Sequence, residues 1–150
     1  MKILAFDCAQ KTGWAFMENG KIIESGTQDY RKKRGESNGL LFLKYRKWFL
    51  EMIKQFEPEV VAYERAHFRG GPATEIGVGL QTRVQETATE LDLILLPIHT
   101  GALKKFATGV GNAGKQEMVD AAELIIGREV CDDNEADAIH LARFAHSDVG

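Results

Sequence analysis

No apolar run in this chain approaches the roughly 20 residues needed to cross a bilayer, so no membrane partner is expected. The start, "MKILAFDCAQ", lacks the basic, then apolar, then small-residue layout of a secretion signal. Cysteine is scarce: Cys8 and Cys131 lie far apart with no metal-binding spacing. That excludes a disulfide framework and reads as reduced thiols in a cytoplasm. Neither cysteine neighbours a histidine in sequence, which disfavours a cysteine nucleophile. His67, His99, His140 and His146 show no zinc-ligand spacing. A phosphate-binding P-loop is disfavoured too, because no Ser or Thr follows Lys115 in "GVGNAGKQEM" and the glycine spacing is wrong. There is no internal repeat and no low-complexity block.

What remains is an ordinary globular composition, 44% apolar and 27% charged, long enough at 150 residues for one domain (1–150) with a real core. The net charge of -3 is unevenly spread. "YRKKRGESNGLLFLKYRKWF" is basic and "CDDNEADAIHLARFAHSDVG" is acidic. A surface of the first kind can carry a polyanion, and a cluster of the second kind can hold cations. A solvated charged face accounts equally well for "RKKR" alone.

Periodicity supplies the elements. Ile3 to Phe6 form a short buried strand, and "TGWAFMENGKIIESGT" holds two runs around Asn19-Gly20, a hairpin signal. Phe42, Tyr45, Phe49, Met52, Ile53 and Phe56 recur on one helical face that Pro58 closes. "VVAY" is another buried strand, and "RAHFRGGPAT" a loop. Ile76, Leu80, Val84, Ala88 and Leu91 mark a long helix, either a core helix or part of a dimer interface. "LILLPI" is a strand and "GALKKF" a short helical turn before a glycine-rich loop. "KQEMVDAAELII" is a helix stopped by Gly127, and a last helix follows with Asp133 or Asn134 as its cap. Helices on both faces of a mixed sheet make an α/β layered domain.

Two apolar strands end on a carboxylate, Asp7 and Glu64, and the last helix opens with Asp133 and Asp137, four apart on one face. If the first and fourth strands are parallel neighbours, Asp7 and Glu64 lie side by side. Two close carboxylates do not both ionise cheaply unless a cation sits between them. A hard divalent ion such as magnesium takes oxygen ligands and works with phosphates, and a pair of them can hydrolyse a phosphodiester. Glycines ahead of Lys115 allow close backbone approach, and the lysine at a helix start can meet a phosphate.

"ILAFDCAQKTGWA", "VVAYERAHF", "GVGNAGKQEMV" and "NEADAIHLA" resemble, in order and over nearly the whole chain, the successive motifs of RuvC-type Holliday junction resolvases. The shape of the first motif and the basic insert look closer to phage-borne members. The resemblance implies a ribonuclease H-like fold with a mixed five-stranded sheet flanked by helices. It implies a crossover junction endodeoxyribonuclease acting in recombination and repair, using two Mg2+ per site with Mn2+ as a substitute. The partners it implies are four-way or branched DNA and a second copy of the chain, in a bacterial cell or a phage-infected host. Asp7, Glu64 and Asp137 would be the metal ligands and, with Lys115, the catalytic groups.

The family often carries an acid or histidine three residues before its last ligand. Asn134 stands there, and Asn134 or Asp133 would complete the set. The first motif also departs, with Cys8 and Ala9 where the family usually has Pro-Gly. An aromatic after the second motif would unstack bases at the junction; His67 and Phe68 are the candidates, although Phe68 suits a core equally well. Arg65 and Arg69 would meet phosphates there. Arg31, Lys32, Lys33, Arg34, Lys44 and Lys47 would track the DNA backbone. Two further readings stay open: an RNA-processing or general branched-DNA nuclease on the same fold, and a non-catalytic nucleic-acid-binding module.

Overall fold

Asn19 and Gly20 both have positive φ, 51° and 81°, the pairing a two-residue hairpin needs to follow strand twist. They join the second and third of ten elements in a computed structural model that describes residues 1–65 and 70–149. In chain order these are β1 (Lys2–Asp7), β2 (Lys11–Glu18), β3 (Lys21–Asp29), α1 (Asn38–Phe56), β4 (Val60–Arg65), α2 (Pro72–Glu90), β5 (Ile94–His99), α3 (Thr100–Thr108), α4 (Lys115–Ile126) and α5 (Asp133–Val149). The sheet order is β3-β2-β1-β4-β5. β2 runs antiparallel to β1 and β3, while β1, β4 and β5 are mutually parallel.

Strand alternation sends β1 side chains to two separate cores. Leu4 and Phe6 face α1 and α2, among Phe16, Tyr45, Trp48, Phe49, Val61 and Tyr63. Ile3 and Ala5 face α3, α4 and α5, among Ala15, Met17, Val60, Ala62 and Ile98. α5 meets that second face with Ala136, Ala138, Ala142 and Ala145, all buried. Small side chains on both partners bring the helix close to the strands. At Gly13 on β2 the fit is backbone to backbone: a Cβ there would lie 1.8 Å from the Asn134 carbonyl oxygen.

Helix boundaries follow their caps. The Ser37 hydroxyl accepts from the Leu40 N–H at 3.1 Å to start α1, and Glu57, left-handed at φ 48°, ends it ahead of Pro58. The buried face of α1 is Leu41, Tyr45, Trp48, Phe49 and Met52; the expected Phe42, Ile53 and Phe56 lie at its half-buried margin. On α2, Ile76, Leu80, Val84 and Ala88 are buried as the spacing predicts, but Leu91 lies past the helix and is 44% exposed. The expected helical turn at "GALKKF" is a nine-residue helix, α3. α5 is capped by Asp132 rather than Asp133 or Asn134: its Oδ1 accepts from the Glu135 N–H at 3.0 Å. Both sheet edges are irregular. β3 carries a bulge at Ile23, between the Met17–Ile22 and Phe16–Glu24 pairs, and β5 contains Pro97.

Candidate active site

Phe6 pairs with Tyr63 in the parallel β1–β4 ladder, so the next residues, Asp7 and Glu64, leave neighbouring strand ends together. Gly13 pairs with Asp7 and packs on Asn134, which sets the start of α5 over the same edge. One carboxylate oxygen each from Asp7, Glu64 and Asp137 therefore lie within 4.8 Å of one another. Three acids from two strands and a helix, separate in sequence, converge as their strand-end and helix-start positions led one to expect.

The cluster carries the electrostatic signature of crowding. Burial, then Glu64, Asp137 and Asp133, push the Asp7 carboxyl well above its ordinary range. Burial, then Glu64 and Asp133, raise Asp137 to about 7, with Lys104 and Lys115 pulling back. Asp133 thus bears on both buried acids, and the Lys115 ammonium lies 3.8 Å from its Oδ2. Asn134 instead offers its backbone to Gly13. Glu64 is oriented by Thr100, whose hydroxyl donates to Oε1 at 2.6 Å, and by Gln81, whose amide donates to the Glu64 carbonyl at 3.2 Å. Behind Asp7 the Thr12 hydroxyl donates to the Ala9 carbonyl, and the Thr12 and Tyr45 hydroxyls are 3.0 Å apart. The Cys8 thiol is pushed up to about 12, chiefly by burial, which keeps it neutral and unsuited to nucleophilic attack. An all-oxygen set of partly buried, mutually repelling acids fits a hard divalent cation better than zinc.

No family model matches the chain. Its sequence is 29% identical over 142 aligned positions, 91% of this chain and 87% of the relative, to the crossover junction endodeoxyribonuclease RuvC of Brachyspira hyodysenteriae. It is 27% identical over 150 positions, 95% and 94% of the two chains, to that of Rickettsia prowazekii. The Thermus thermophilus RuvC structure superposes with a TM-score of 0.81 at 19% identity, covering 99% of this chain and 97% of that one. Over nearly its whole length the chain is similar to these RuvC proteins. The fowlpox virus resolvase, solved with Holliday junction DNA, has the same fold with a TM-score of 0.65 at 14% identity over the whole of both chains.

The basic segment also starts at the acidic edge. Lys11 pairs with Asp29 where β3 ends, and the Tyr30 N–H donates to the Gln10 carbonyl at 2.6 Å. The charges beyond are partly engaged. Arg31 grips Asp29 at 2.6 Å and its guanidinium holds that carboxyl down at about 2. Lys32 donates to Asn38 at 2.6 Å, and Lys44 pairs with Glu36 at 2.6 Å. Lys33, Arg34, Lys47 and Arg65 are exposed, Arg65 directly beside Glu64. His67, Phe68 and Arg69 lie outside the described residues.

Sequence reasoning missed Thr100, Lys104 and Glu135. The first two sit on α3, whose helical length a short apolar pattern did not disclose. Glu135 looked like one more acid in an acidic run, yet it is fully buried. Burial raises its carboxyl, but the Cys131 N–H, the Ser25 hydroxyl and the Arg128 guanidinium outweigh that and hold it below its usual range.

Proposed function

We propose that the chain is a crossover junction endodeoxyribonuclease, a metal-dependent, structure-selective nuclease that resolves four-way or branched DNA. The observation that carries this reading is the convergence of Asp7, Glu64 and Asp137 within 4.8 Å at the sheet edge. The RuvC relatives and the fowlpox virus resolvase of the same fold, solved with Holliday junction DNA, support the choice of substrate. Asp7, Glu64 and Asp137 would hold two Mg2+, with Mn2+ as a substitute and Asp133 favoured over Asn134 as the fourth ligand. Bound divalent ions supply Lewis acidity, making water nucleophilic near neutral pH and offsetting charge on phosphate oxygens.

The chain's own residues do the positioning. Thr100 fixes the Glu64 carboxylate, and Lys104 and Lys115 face the scissile phosphate from α3 and α4. Water attacks the phosphorus in line, and the 3′ oxygen leaves. Arg65 and the 31–34 segment flank the acidic edge, where Lys33 and Arg34 meet backbone phosphates; Lys44 and Lys47 extend the track along α1. Two symmetric cuts need two sites, which calls for a homodimer. The α1–α2 face suits a second copy: Leu43 is 68% and Val78 40% exposed, next to Arg46, Arg83 and Glu86, whose charges can pair across a two-fold axis. The setting is the cytoplasm of a bacterial or phage-infected cell.

A labelled four-way junction incubated with and without Mg2+ tests the reading, with flap, duplex and structured RNA as competitors. Symmetric cuts only with metal, and outcompetition only by junctions, are expected. Asp7→Asn should abolish cleavage and leave junction binding intact. Normal cutting by that variant would end the assignment.

A further inference from the structure

Asp133 and Asp137 share one face of α5, and Glu135 lies between them in sequence, about 200° around the helix from each. It points away from the acidic edge into a closed set of partners. Its Oε2 accepts from the Ser25 hydroxyl at 2.6 Å and from the Arg128 guanidinium at 3.0 Å. Its Oε1 accepts from the Cys131 N–H at 2.7 Å. Arg128 also donates to Ser25 at 2.7 Å and to the Glu129 carbonyl at 2.9 Å. One residue before α5, Asp132 is held by the Thr27 hydroxyl at 2.9 Å and by Lys11 at 3.2 Å. The start of α5 is thus tied to β2, to β3 and to the α4–α5 loop.

Stability does not explain a fully buried carboxylate here, since well-packed apolar residues often replace buried ion pairs at no cost. What the pair adds is a fixed rotation of the helix. Four acids at the edge repel one another and push the start of α5 away from the strands. Alanine packing gives little purchase against rolling of the first turn, and the larger buried side chains, Ile139, His140 and Leu141, sit more than a turn beyond Asp133. A side chain anchored on the opposite face stops that roll.

We propose that Glu135, clamped by Ser25 and Arg128, is a positioning residue that sets the rotation of α5, and so presents Asp133 and Asp137 to the cations shared with Asp7 and Glu64. The inference rests on the metal reading of the site. Partners of metal ligands typically alter affinity or rate by roughly 10–100-fold when lost. The ties to Ser25 and Arg128 act one step further out, on the backbone that carries the ligands.

The test titrates Mg2+ and Mn2+ against the melting temperature of DNA-free wild-type protein, Glu135→Gln and Ser25→Ala. Junction cleavage is measured across the same metal range. Both variants should need about 10-fold more metal for half of the thermal shift. Their cleavage should be slow at limiting metal and recover at high metal, with metal-free junction affinity unchanged. A purely structural role would lower the melting temperature at every metal concentration and leave the metal midpoint in place, and that result overturns the proposal. If Glu135→Gln does not fold, Ser25→Ala decides by the same midpoint. A wild type that ignores both metals would overturn the metal reading and this inference together. A responsive wild type with unshifted variants would overturn this inference alone.

Discussion

The two faces of the sheet are built from opposite materials. Toward α1 and α2 the strands meet rings: Phe6 lies 5.6 Å from Trp48 and 5.0 Å from Phe49, and Phe16 stacks on Phe56 at 4.6 Å. Toward α5 they meet Ala136, Ala138, Ala142 and Ala145 with Ile139 and Leu141 among them, and the bare backbone of Gly13 lies against the start of that helix. Aromatic side chains bury large apolar areas and dominate core energetics, whereas alanines contribute little area and allow close approach. The aromatic side therefore supplies bulk stability. The alanine side supplies a distance, the one that lets a helix carboxylate reach two strand-end carboxylates.

Substitutions on the two faces should fail differently. Phe49→Ala, fully buried on the aromatic side, should cost about 3–5 kcal/mol in denaturant unfolding. Its cleavage rate per folded molecule should stay near wild type, and a collapse of that rate at saturating stability would blur the division. Gly13→Ala should add a loss of rate to its loss of stability. Its new methyl group collides with the start of α5, and an ångström of misplacement at a reacting centre costs on the order of 100-fold in rate. Single-turnover kinetics on a junction would show it per folded molecule, alongside a clear drop in melting temperature because the clash is with backbone.

The acidic edge should also announce itself through pH. Asp137 keeps its proton to about 7 in the folded chain and loses it near 3.8 unfolded, so between those values the native state binds more protons. Its contribution to stability is then lost as pH rises through that window, most plainly from about 5 to 7. His140 acts with the opposite sign, because burial lowers its pKa and leaves it neutral in the fold. The difference between wild type and Asp137→Asn in metal-free buffer isolates the aspartate. The variant should gain melting temperature relative to wild type as pH climbs from 5 to 7, and saturating Mg2+ should erase that gap. The smallest effect belongs to Arg31→Ala. Its pair with Asp29 is fully exposed and adds little to stability. Arg34→Ala, which removes a phosphate contact, should flatten the salt dependence of junction binding by about one unit of slope, and Arg31→Ala, whose guanidinium is held by Asp29, by less.

Much of this was legible because it depends on local chemistry. Asn19-Gly20 announced the hairpin, and apolar runs ending on Asp7 and Glu64 marked two strand tips. The four-residue spacing of Asp133 and Asp137 placed both on one helix face. The cap of α5 was misplaced by one residue, since Asp132, Asp133 and Asn134 all have capping side chains and only tertiary contacts with Thr27 and Lys11 select the first. Leu41 and Trp48 fall in the same three- and four-residue steps as Tyr45 and Met52, but Phe42, Ile53 and Phe56, apolar and half-buried, drew the expected stripe to one side of the true seam. Glu135 could not have been found from residue type, because a buried acid and a solvated one read alike until Arg128 and Ser25 are seen to close on it. Nor does spacing show that β1 and β4 are neighbours, which is the pairing on which the whole acidic cluster depends.

The irregular margins of the sheet have a consequence for how the chain behaves when crowded. A strand left open at an edge is a template on which other chains can zip into fibrils. Here Pro97 withholds an amide from any newcomer on one side, and the bulge at Ile23, between Ile22 and Glu24, twists the other out of register. Both edges of the five-stranded sheet are thus poor templates for edge-to-edge extension by another chain.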